Sequence, residues 1–347
     1  MCNNVIDRQT GFDMFRGTLR MLWLWGLGLF LLTAPQVYAA ADIPQDLLET
    51  VRSDGTAEFF VVLNKQADVS YAYQLQTKEE KGKYVFETLT RTARETQADI
   101  IQILEARNVE YQSFWIQNMI LVTGDESLLK EMAARDDIVT IRPNRTHIAI
   151  DPEVNKRAFA SPESRAAEWN LVQINADDVW NLLGVTGTNI VVQSSDTGVD
   201  WTHPALINKY RGNSGGPVDH NYNWYDPTGT YPSAPDDGYG HGTHTTGTMV
   251  GDDGAGNQIG VAPGAQWIAY KNMTDSGSGS DAYFHGSFQW GLAPTDLNGN
   301  NADPNQAPHV ICNSWGYWGG GDNQFYTDIS NLTASGIFVE VSAGNEG

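Results

Sequence analysis

Apolar residues between positions 58 and 141 follow the periods of strands and helices in turn. Glu58–Leu63 is a nearly continuous apolar run, which predicts a buried strand. From about Glu79 to Arg107, apolar residues recur at steps of three and four, which predicts an amphipathic helix. The later runs predict two strands, a short helix and a last strand over Val109–Trp115, Asn118–Thr123, Glu126–Arg135 and Ile138–Ile141. This order predicts a small α+β, ferredoxin-like module, a fold that does not by itself specify a function.

Past residue 161 the apolar runs are short, and each ends in small or polar residues. Asn189–Gln193 predicts a buried strand that ends in a Ser-Ser-Asp-Thr-Gly segment containing Asp196. Val310–Asn313 and the stretch from Gly336 predict two more strands of this kind. A carboxylate at the carboxyl end of a parallel strand lies where α/β sheets place their functional sites. A plain turn residue is the other interpretation of Asp196.

The 347 residues carry 21 basic and 42 acidic side chains, for a net charge of −21. Such an acidic chain repels phosphate, which argues against nucleic acid as a partner. Residues 161–347 hold 4 of the basic side chains, 20 of the acidic ones and 28 of the 35 glycines. This change predicts a domain boundary near residues 150–165. The charged segment 142–165 contains prolines and is expected to be an exposed linker.

An apolar run at residues 22–32 follows Arg16 and Arg20 and precedes Ala39–Ala41. These features are typical of a secretory signal peptide, so residues 1–41 are expected to be removed, with membrane contact only during export. An uncleaved membrane anchor is the alternative. Removal leaves Cys312 without an internal disulfide partner, which fits a secreted bacterial protein held by its core or by ions.

Two histidines lie in a segment of small residues. Glycines flank His241, so this segment can form a helix that packs closely against a sheet, with His241 exposed in the first turn. His241 and His244 are spaced like metal ligands, but the glutamate of the His-Glu-x-x-His zinc helix is missing. A metal site is therefore the lesser alternative, and His244 is expected to be a hydrogen-bonded packing residue. Asn345 is open to two interpretations, a left-handed turn residue or an amide donor to a developing oxyanion.

Three motifs occur in one order along the chain: Asp196-Thr-Gly, Gly-His241-Gly-Thr-His and Ser-Ala-Gly-Asn345. Together they resemble the subtilisin-like serine proteases, or subtilases. Further motifs resemble the bacillopeptidase F-like branch of that family, namely Asn313-Ser-Trp-Gly, Glu168-Trp-Asn, His203-Pro-Ala-Leu, Lys209-Tyr-Arg-Gly and Ile259-Gly-Val-Ala-Pro-Gly-Ala. The resemblance covers roughly residues 168–347, and residues 58–150 resemble the subtilase prodomain more loosely.

This resemblance implies a doubly wound parallel-sheet, subtilisin-like α/β domain whose N-terminal part is residues 161–347. It implies that residues 42–160 are an inhibitory prodomain plus linker that acts on its own catalytic domain. The segment 142–150 would then lie in the cleft like a product, with self-cleavage between about Ile150 and Glu168. The implied protein is a secreted serine endopeptidase precursor, or zymogen.

The resemblance also assigns roles to single residues. Asp196 would orient His241, which would act as general base and then as general acid. The Asn345 side chain would donate to the oxyanion. Ser314, Trp315 and Gly316 match the strand that pairs with the backbone of a protein or peptide substrate. None of these steps requires a cofactor.

The sequence departs from the family at the nucleophile. The family serine follows Gly-Thr at a helix start after the asparagine motif, and no Gly-Thr-Ser occurs in the 347 residues. Ser127 lies in the N-terminal module and Ser276–Ser280 are expected to form a glycine-serine loop, so neither suits a nucleophile. We therefore expect a reading frame truncated before the catalytic serine, and no peptidase activity from these residues alone. One alternative is an inhibitor or binding protein whose useful part is residues 42–150, and another is a pseudoenzyme that binds peptides through Ser314–Gly316 without cutting them.

Oxygen-bearing side chains alternate over Asp296–Asp303, as in a calcium loop, but their spacing departs from the EF-hand pattern. A solvated loop is the favoured interpretation and a structural calcium ion the alternative, so no metal ligand is assigned. Asp236-Asp237 and Asp252-Asp253 are expected to be solvated turns. Cys312 is expected to be a buried small residue, with sensitivity to thiol reagents as the alternative.

Overall fold

The computed structural model describes residues 40–148, 167–316 and 323–344. The predicted signal peptide lies outside them except for its last two residues. Asn345 and most of the predicted linker, including nearly all of the predicted self-cleavage window, also lie outside them. Within these ranges, no helix has the length and apolar character needed to cross a membrane.

An antiparallel sheet of four strands forms the N-terminal module. Its elements are α1 (Gln45–Asp54), β1 (Ala57–Leu63), α2 (Lys78–Ala106), β2 (Tyr111–Phe114), β3 (Met119–Gly124), α3 (Glu126–Ala133) and β4 (Ile138–Pro143). The strands lie in the order β2-β3-β1-β4, as in a ferredoxin-like unit. The predicted strands and helices are confirmed to within two residues at each end, whereas the sequence pattern does not predict α1.

Strand β1 buries both of its faces. Phe59, Val61 and Leu63 lie in the core that the module forms with its own helices. Phe60 and Val62 lie on the opposite face, in a cluster that includes Ala282 of the C-terminal half. Because side chains alternate across a strand, an unbroken apolar run means that both faces are covered. The module is therefore packed against the rest of the chain through its sheet.

The C-terminal half is built on a parallel sheet. Its elements are α4 (Trp169–Gln173), α5 (Ala176–Leu183), β6 (Val191–Asp196), β7 (Trp224–Tyr225), α6 (His241–Val250), β8 (Gln266–Lys271), β9 (Ser278–Ser280), α7 (Asp281–Leu292), β10 (Val310–Asn313), α8 (Tyr326–Ala334) and β11 (Phe338–Val341). The order β11-β10-β6-β8-β7 places β6 at the centre, and every neighbouring pair is parallel. Parallel strands that alternate with helices confirm the predicted α/β class.

Hydrogen bonds join the module to helices α7 and α8. Gln289 Oε1 accepts from the backbone N–H groups of Trp115 and Ile116 at 2.7 and 3.2 Å. Asn331 Nδ2 donates to the Ile116 carbonyl at 2.7 Å. Lys78 Nζ donates to the Ala307 carbonyl at 2.9 Å, and burial lowers the pKa of Lys78. Side chains thus satisfy backbone groups that the contact removes from water.

The chain after β4 is paired rather than free. Its strand β5 (Thr146–Ile148) lies antiparallel to β9. Arg145 and Thr146 are exposed, as predicted for a linker from residue 142. Arg142–Pro143 nevertheless end β4 and Thr146–Ile148 pair with β9, because an extended polar segment can add to the edge of another strand. The prediction of a loop at Ser276–Ser280 is wrong over Ser278–Ser280, since β5 supplies that short segment with a strand partner.

Candidate active site

Asp196 and His241 lie in hydrogen-bond contact. Asp196 is the last residue of the central strand β6, and His241 is the first residue of α6. His241 Nδ1 lies 2.7 Å from Asp196 Oδ1, with 11% and 2% of the two side chains exposed. The prediction that His241 is exposed is wrong, because the first turn of α6 packs directly on the end of β6. A carboxylate at Nδ1 orients an imidazole and stabilises its imidazolium form.

Glycines allow α6 to approach β6 this closely. A Cβ atom at Gly242 would collide with the carbonyl oxygen of Gly198. Gly198 itself has a φ of +117°, a conformation that favours glycine. The close packing expected from the small residues around His241 is therefore confirmed.

Two further donors hold the Asp196 carboxylate. Thr197 N donates to Oδ1 at 2.7 Å, and Thr245 Oγ1 donates to Oδ2 at 3.1 Å. Thr245 lies four residues after His241, about one turn along α6. The same helix therefore supplies the imidazole and a second hydrogen bond to the carboxylate.

Asp237 links the end of β6 to the start of α6. Its Oδ1 accepts from Thr197 Oγ1 at 2.9 Å, and its Oδ2 accepts from Thr243 N and Oγ1 at 2.8 and 2.7 Å. Thr197 Oγ1 in turn accepts from Gly242 N at 3.0 Å. The prediction of a solvated turn is wrong for Asp237, because its carboxylate satisfies N–H groups in the first turn of the helix. An aspartate just before a helix start is the signal that could have found it.

A buried lysine lies beside this network. Lys271, at the end of β8, donates to Asp275 Oδ1 at 2.6 Å and to the Thr197 carbonyl. Tyr231 Oη donates to Asp275 Oδ2 at 2.7 Å, which raises the pKa of Tyr231 to about 12. Burial acts to raise the pKa of Asp275, but the hydrogen bonds from Lys271 and Tyr231 outweigh it and lower that pKa. The buried ammonium group is thus paired next to the site.

The residues predicted to bind substrate follow β10. Ser314, Trp315 and Gly316 are partly buried, and they do not lie in any strand of the described residues. The Trp315 ring stacks on Phe284, with ring centroids 3.9 Å apart. The predicted oxyanion donor Asn345 lies outside the described residues. The structure therefore brings Asp196 and His241 together and leaves the other predicted roles as predictions.

Strand β9, which the sequence analysis did not connect with a site, holds part of the segment 142–150 that the resemblance places in the cleft. The register pairs Thr146 with Ser280 and Ile148 with Ser278. Asp281, directly after β9, accepts a hydrogen bond of 2.6 Å from His147 Nε2. No side-chain motif marks such a contact in the sequence, because strand addition uses backbone groups.

His244 lies in an exposed position on α6, so the prediction of a packing residue is wrong. With His203 and Trp169 it lines a surface cavity of about 590 Å³. Among the described residues, no three His, Cys, Asp or Glu side chains are grouped so that they could hold a metal ion.

The Asp296 loop satisfies its own carboxylate. Asp296 Oδ1 accepts from the N–H groups of Asn298 and Asn300, both at 2.9 Å, and Oδ2 accepts from Asn301 Nδ2 at 2.8 Å. These hydrogen bonds lower the pKa of Asp296, and the bond from the Asn300 N–H has the largest effect. Both oxygens of Asp296 thus accept hydrogen bonds from its own loop, which favours the interpretation of this segment as a solvated loop.

Cys312 is partly buried on β10. Burial, together with a hydrogen bond of 3.0 Å from its thiol to Glu340, raises the pKa of the thiol. A raised thiol pKa lowers the fraction of reactive thiolate, which favours the interpretation as a small packing residue.

Comparisons with known proteins identify a family for the C-terminal half of the chain. Residues 187–347 match the subtilase family. The chain is 39% identical to bacillopeptidase F of Bacillus subtilis (strain 168) over 284 residues, which are 78% of the chain and 20% of that protein. It is 34% identical over 176 residues to the major intracellular serine protease of the same strain, covering 50% of the chain and 48% of that protein.

Subtilisin E of the same strain is 28% identical over 236 residues, covering 68% of the chain and 51% of that protein. The chain thus spans a fifth of the length of bacillopeptidase F and about half of the other two relatives. From the family match and these identities, residues 187–347 are a subtilase-family domain, and the chain is similar to the branch of that family that includes bacillopeptidase F.

Proposed function

We propose that residues 161–347 contribute the aspartate and the histidine of the catalytic triad of a serine endopeptidase. The observation that carries this proposal is the 2.7 Å contact of His241 Nδ1 with Asp196 Oδ1 at the carboxyl end of the central strand. Asp196 acts as the positioning carboxylate, and His241 Nε2 takes the proton of a serine hydroxyl as it attacks the scissile carbonyl. The imidazolium then donates that proton to the leaving amine.

The other groups around the reaction follow from the family. Asn345 donates to the oxyanion, an interaction whose loss typically costs about 10²–10³ in kcat. Ser314, Trp315 and Gly316 bind the backbone of a protein or peptide substrate. The chemistry requires no metal or cofactor, because the base, the nucleophile and the oxyanion donor are side chains.

Residues 42–160 act in this proposal as an inhibitory prodomain with its linker. The pairing of β5 with β9 supports this role, since it holds an extended segment of the N-terminal module against the C-terminal half. Self-cleavage falls between about Ile150 and Glu168. The apolar run at residues 22–32 directs the precursor to secretion, and residues 1–41 are removed on export.

The proposal is tested by comparing casein hydrolysis by the 347 residues with hydrolysis by the product of the complete gene. The 347 residues contain no Gly-Thr-Ser, and we expect no hydrolysis of casein by them alone. We expect the intact product to hydrolyse casein and His241→Ala to lower kcat by about 10⁶ and to leave the precursor uncut. Asp178→Asn, at an exposed acid on α5, serves as the control for an unrelated substitution and is expected to change neither. Normal hydrolysis or maturation of the His241→Ala product would contradict the proposal.

A second candidate function is inhibition or peptide binding without catalysis. The buried contact of Phe60 and Val62 with the C-terminal half, together with the β5–β9 pairing, supports it. This candidate predicts that residues 42–150, added in trans, inhibit a related subtilase tightly and that the intact gene product has no catalytic serine. A catalytically active intact product would favour the endopeptidase.

A further inference from the structure

A buried carboxylate lies where β5 meets β9. Asp281 is the first residue of α7, and only 3% of its side chain is exposed. Its Oδ1 accepts from His147 Nε2 at 2.6 Å and from Gln324 Nε2 at 3.0 Å. Its Oδ2 accepts from the backbone N–H of Arg145 at 3.1 Å. Two of these three donors therefore belong to the segment that adds to β9.

The backbone on both sides of this carboxylate is tied to the same segment. The Asp281 N–H donates to the Arg145 carbonyl at 3.0 Å, and the Ala282 N–H donates to Asn144 Oδ1 at 3.0 Å. With the register of β5 on β9, these bonds set the direction in which the His147 side chain leaves the backbone. An extended peptide in this register thus places one side chain at Asp281.

Aromatic rings form the wall of the pocket that receives His147. The His147 and Phe284 ring centroids lie 6.0 Å apart, and Phe284 stacks on Trp315 at an interplanar angle of 14°. The exposed fraction of the His147 side chain is 12%. The pocket is therefore a small aromatic slot with a carboxylate at its end.

The guanidinium groups of the two neighbouring arginines contact residues other than Asp281. The Arg145 guanidinium lies 2.9 Å from Asp46 of α1, and the Arg142 guanidinium lies over the Phe60 ring at 5.9 Å. In the ion pairs of the described residues, the partner of Asp281 is His147. A carboxylate removed from water needs a hydrogen-bonded or cationic partner, so departure of the segment would leave Asp281 in need of another donor.

We propose that Asp281 is a specificity-determining residue of the groove along β9. The groove takes an extended peptide antiparallel to β9 and, at the register of His147, selects histidine, lysine or arginine over aliphatic and acidic side chains. The preferred substrates are then proteins with a basic residue a few positions before the cleaved bond. The inference rests on the proposed function in one respect, namely that the segment 144–148 lies as a substrate lies.

The test replaces residue 147 in the full 347-residue chain and follows hydrogen exchange of the β5 and β9 amides. The variants are His147→Lys, His147→Arg, His147→Leu and His147→Glu. We expect lysine and arginine to keep protection within a few-fold of histidine, and leucine and glutamate to lower it about tenfold to a hundredfold, the range for losing a hydrogen bond to a charged group. Exchange of the β3 amides serves as the internal standard for global unfolding.

The same series on an Asp281→Asn background isolates the carboxylate. We expect the advantage of lysine over leucine to disappear there, whereas Asp178→Asn leaves it unchanged. Equal protection by leucine and histidine with Asp281 intact overturns the inference, and so does a ranking that survives Asp281→Asn. The first series decides the matter even where Asp281→Asn does not fold. Neither contrary result would argue against the catalytic role of Asp196 and His241. The hydrolysis assay tests that role separately.

Discussion

The C-terminal parts of strands β1 and β6 are buried to the same degree but are built from opposite chemistry. Phe59–Leu63 of β1 are all apolar, whereas Gln193–Asp196 of β6 are all polar. The exposed fraction of each of these nine residues is 3% or less. Apolar side chains stabilise the folded state wherever they are buried, whereas a buried polar group needs a specific hydrogen-bond partner.

The polar side chains of β6 find partners within the strand and in other elements. Gln193 Nε2 donates to Ser195 Oγ at 2.9 Å, and Ser287 Oγ of α7 donates to the same atom at 2.7 Å. Asp196 receives its partners from α6 and from Thr197. Strand β1 therefore stabilises the module through apolar area and shape, whereas β6 holds the site through directed hydrogen bonds. The two strands can therefore be perturbed separately.

The largest expected effect is on the polar strand. Asp196→Asn in the intact gene product should lower kcat by about 10⁴, because the amide no longer favours the Nδ1-protonated tautomer of His241. Its effect on the thermal unfolding midpoint should be smaller than that of a core truncation in β1. Casein hydrolysis and calorimetry measure the two quantities, and an active variant with a collapsed midpoint would reverse the comparison.

The next effect is on the apolar strand. Phe59→Ala should lower the free energy of unfolding by about 3–5 kcal/mol, since it leaves a cavity in the core of the module. In folded molecules the contact between His241 and Asp196 should persist, because Phe59 lies in a separate cluster. Urea unfolding followed by tryptophan fluorescence gives the free energy. A loss well below 1 kcal/mol would mean that the β1 face contributes little.

A smaller effect is expected where the polar network meets the helix. Asp237→Asn should lower the free energy of unfolding by about 1–3 kcal/mol, because hydrogen bonds from Thr197 and Thr243 to a charged carboxylate are weakened. The neighbouring Asp236→Asn is the matched control. Equal losses in the two variants would show that Asp237 is no more than a turn residue.

The smallest expected effect is on the stability of the module, through surface ion pairs whose contribution depends on pH. Hydrogen bonds from Arg52, then from Lys130, lower the pKa of Glu126 from 4.5 to about 2. Because the folded pKa is the lower one, the stabilisation is present above pH 4.5 and is lost as the pH falls toward 2. The difference in urea midpoint between the unmodified chain and Glu126→Gln should therefore shrink over that interval. A difference that does not vary with pH would exclude this ion pair as its source.

The apolar half of the comparison could be predicted from the sequence. The run Glu58–Leu63 and the spacing of apolar residues over 79–107 give strand and helix bounds close to those observed. These predictions succeed because apolar periodicity is a local pattern that burial enforces. Helix α1 escapes prediction, since it presents only Leu47 and Val51 as buried positions.

The polar half could be predicted only where motifs exist. Asp196 and His241 stand in short motifs, and the structure brings them together as expected. Asp281 does not stand out, because its side-chain partners come from segments distant in sequence. The contact of His147 with Asp281 spans 134 positions and forms only once β5 adds to β9. Such contacts depend on tertiary structure that residue spacing does not encode.

The most direct test of the account is the protonation of the His241 ring. Nitrogen-15 NMR of the labelled 347-residue chain, with His241→Ala for assignment, reports which ring nitrogen carries the proton in the neutral form. The account predicts a proton on Nδ1, donated to Asp196, and an unprotonated Nε2 that can serve as the base, with the pattern lost in Asp196→Asn. A neutral His241 protonated on Nε2, or a pattern unchanged by Asp196→Asn, would contradict the role of Asp196 in orienting His241 as the base.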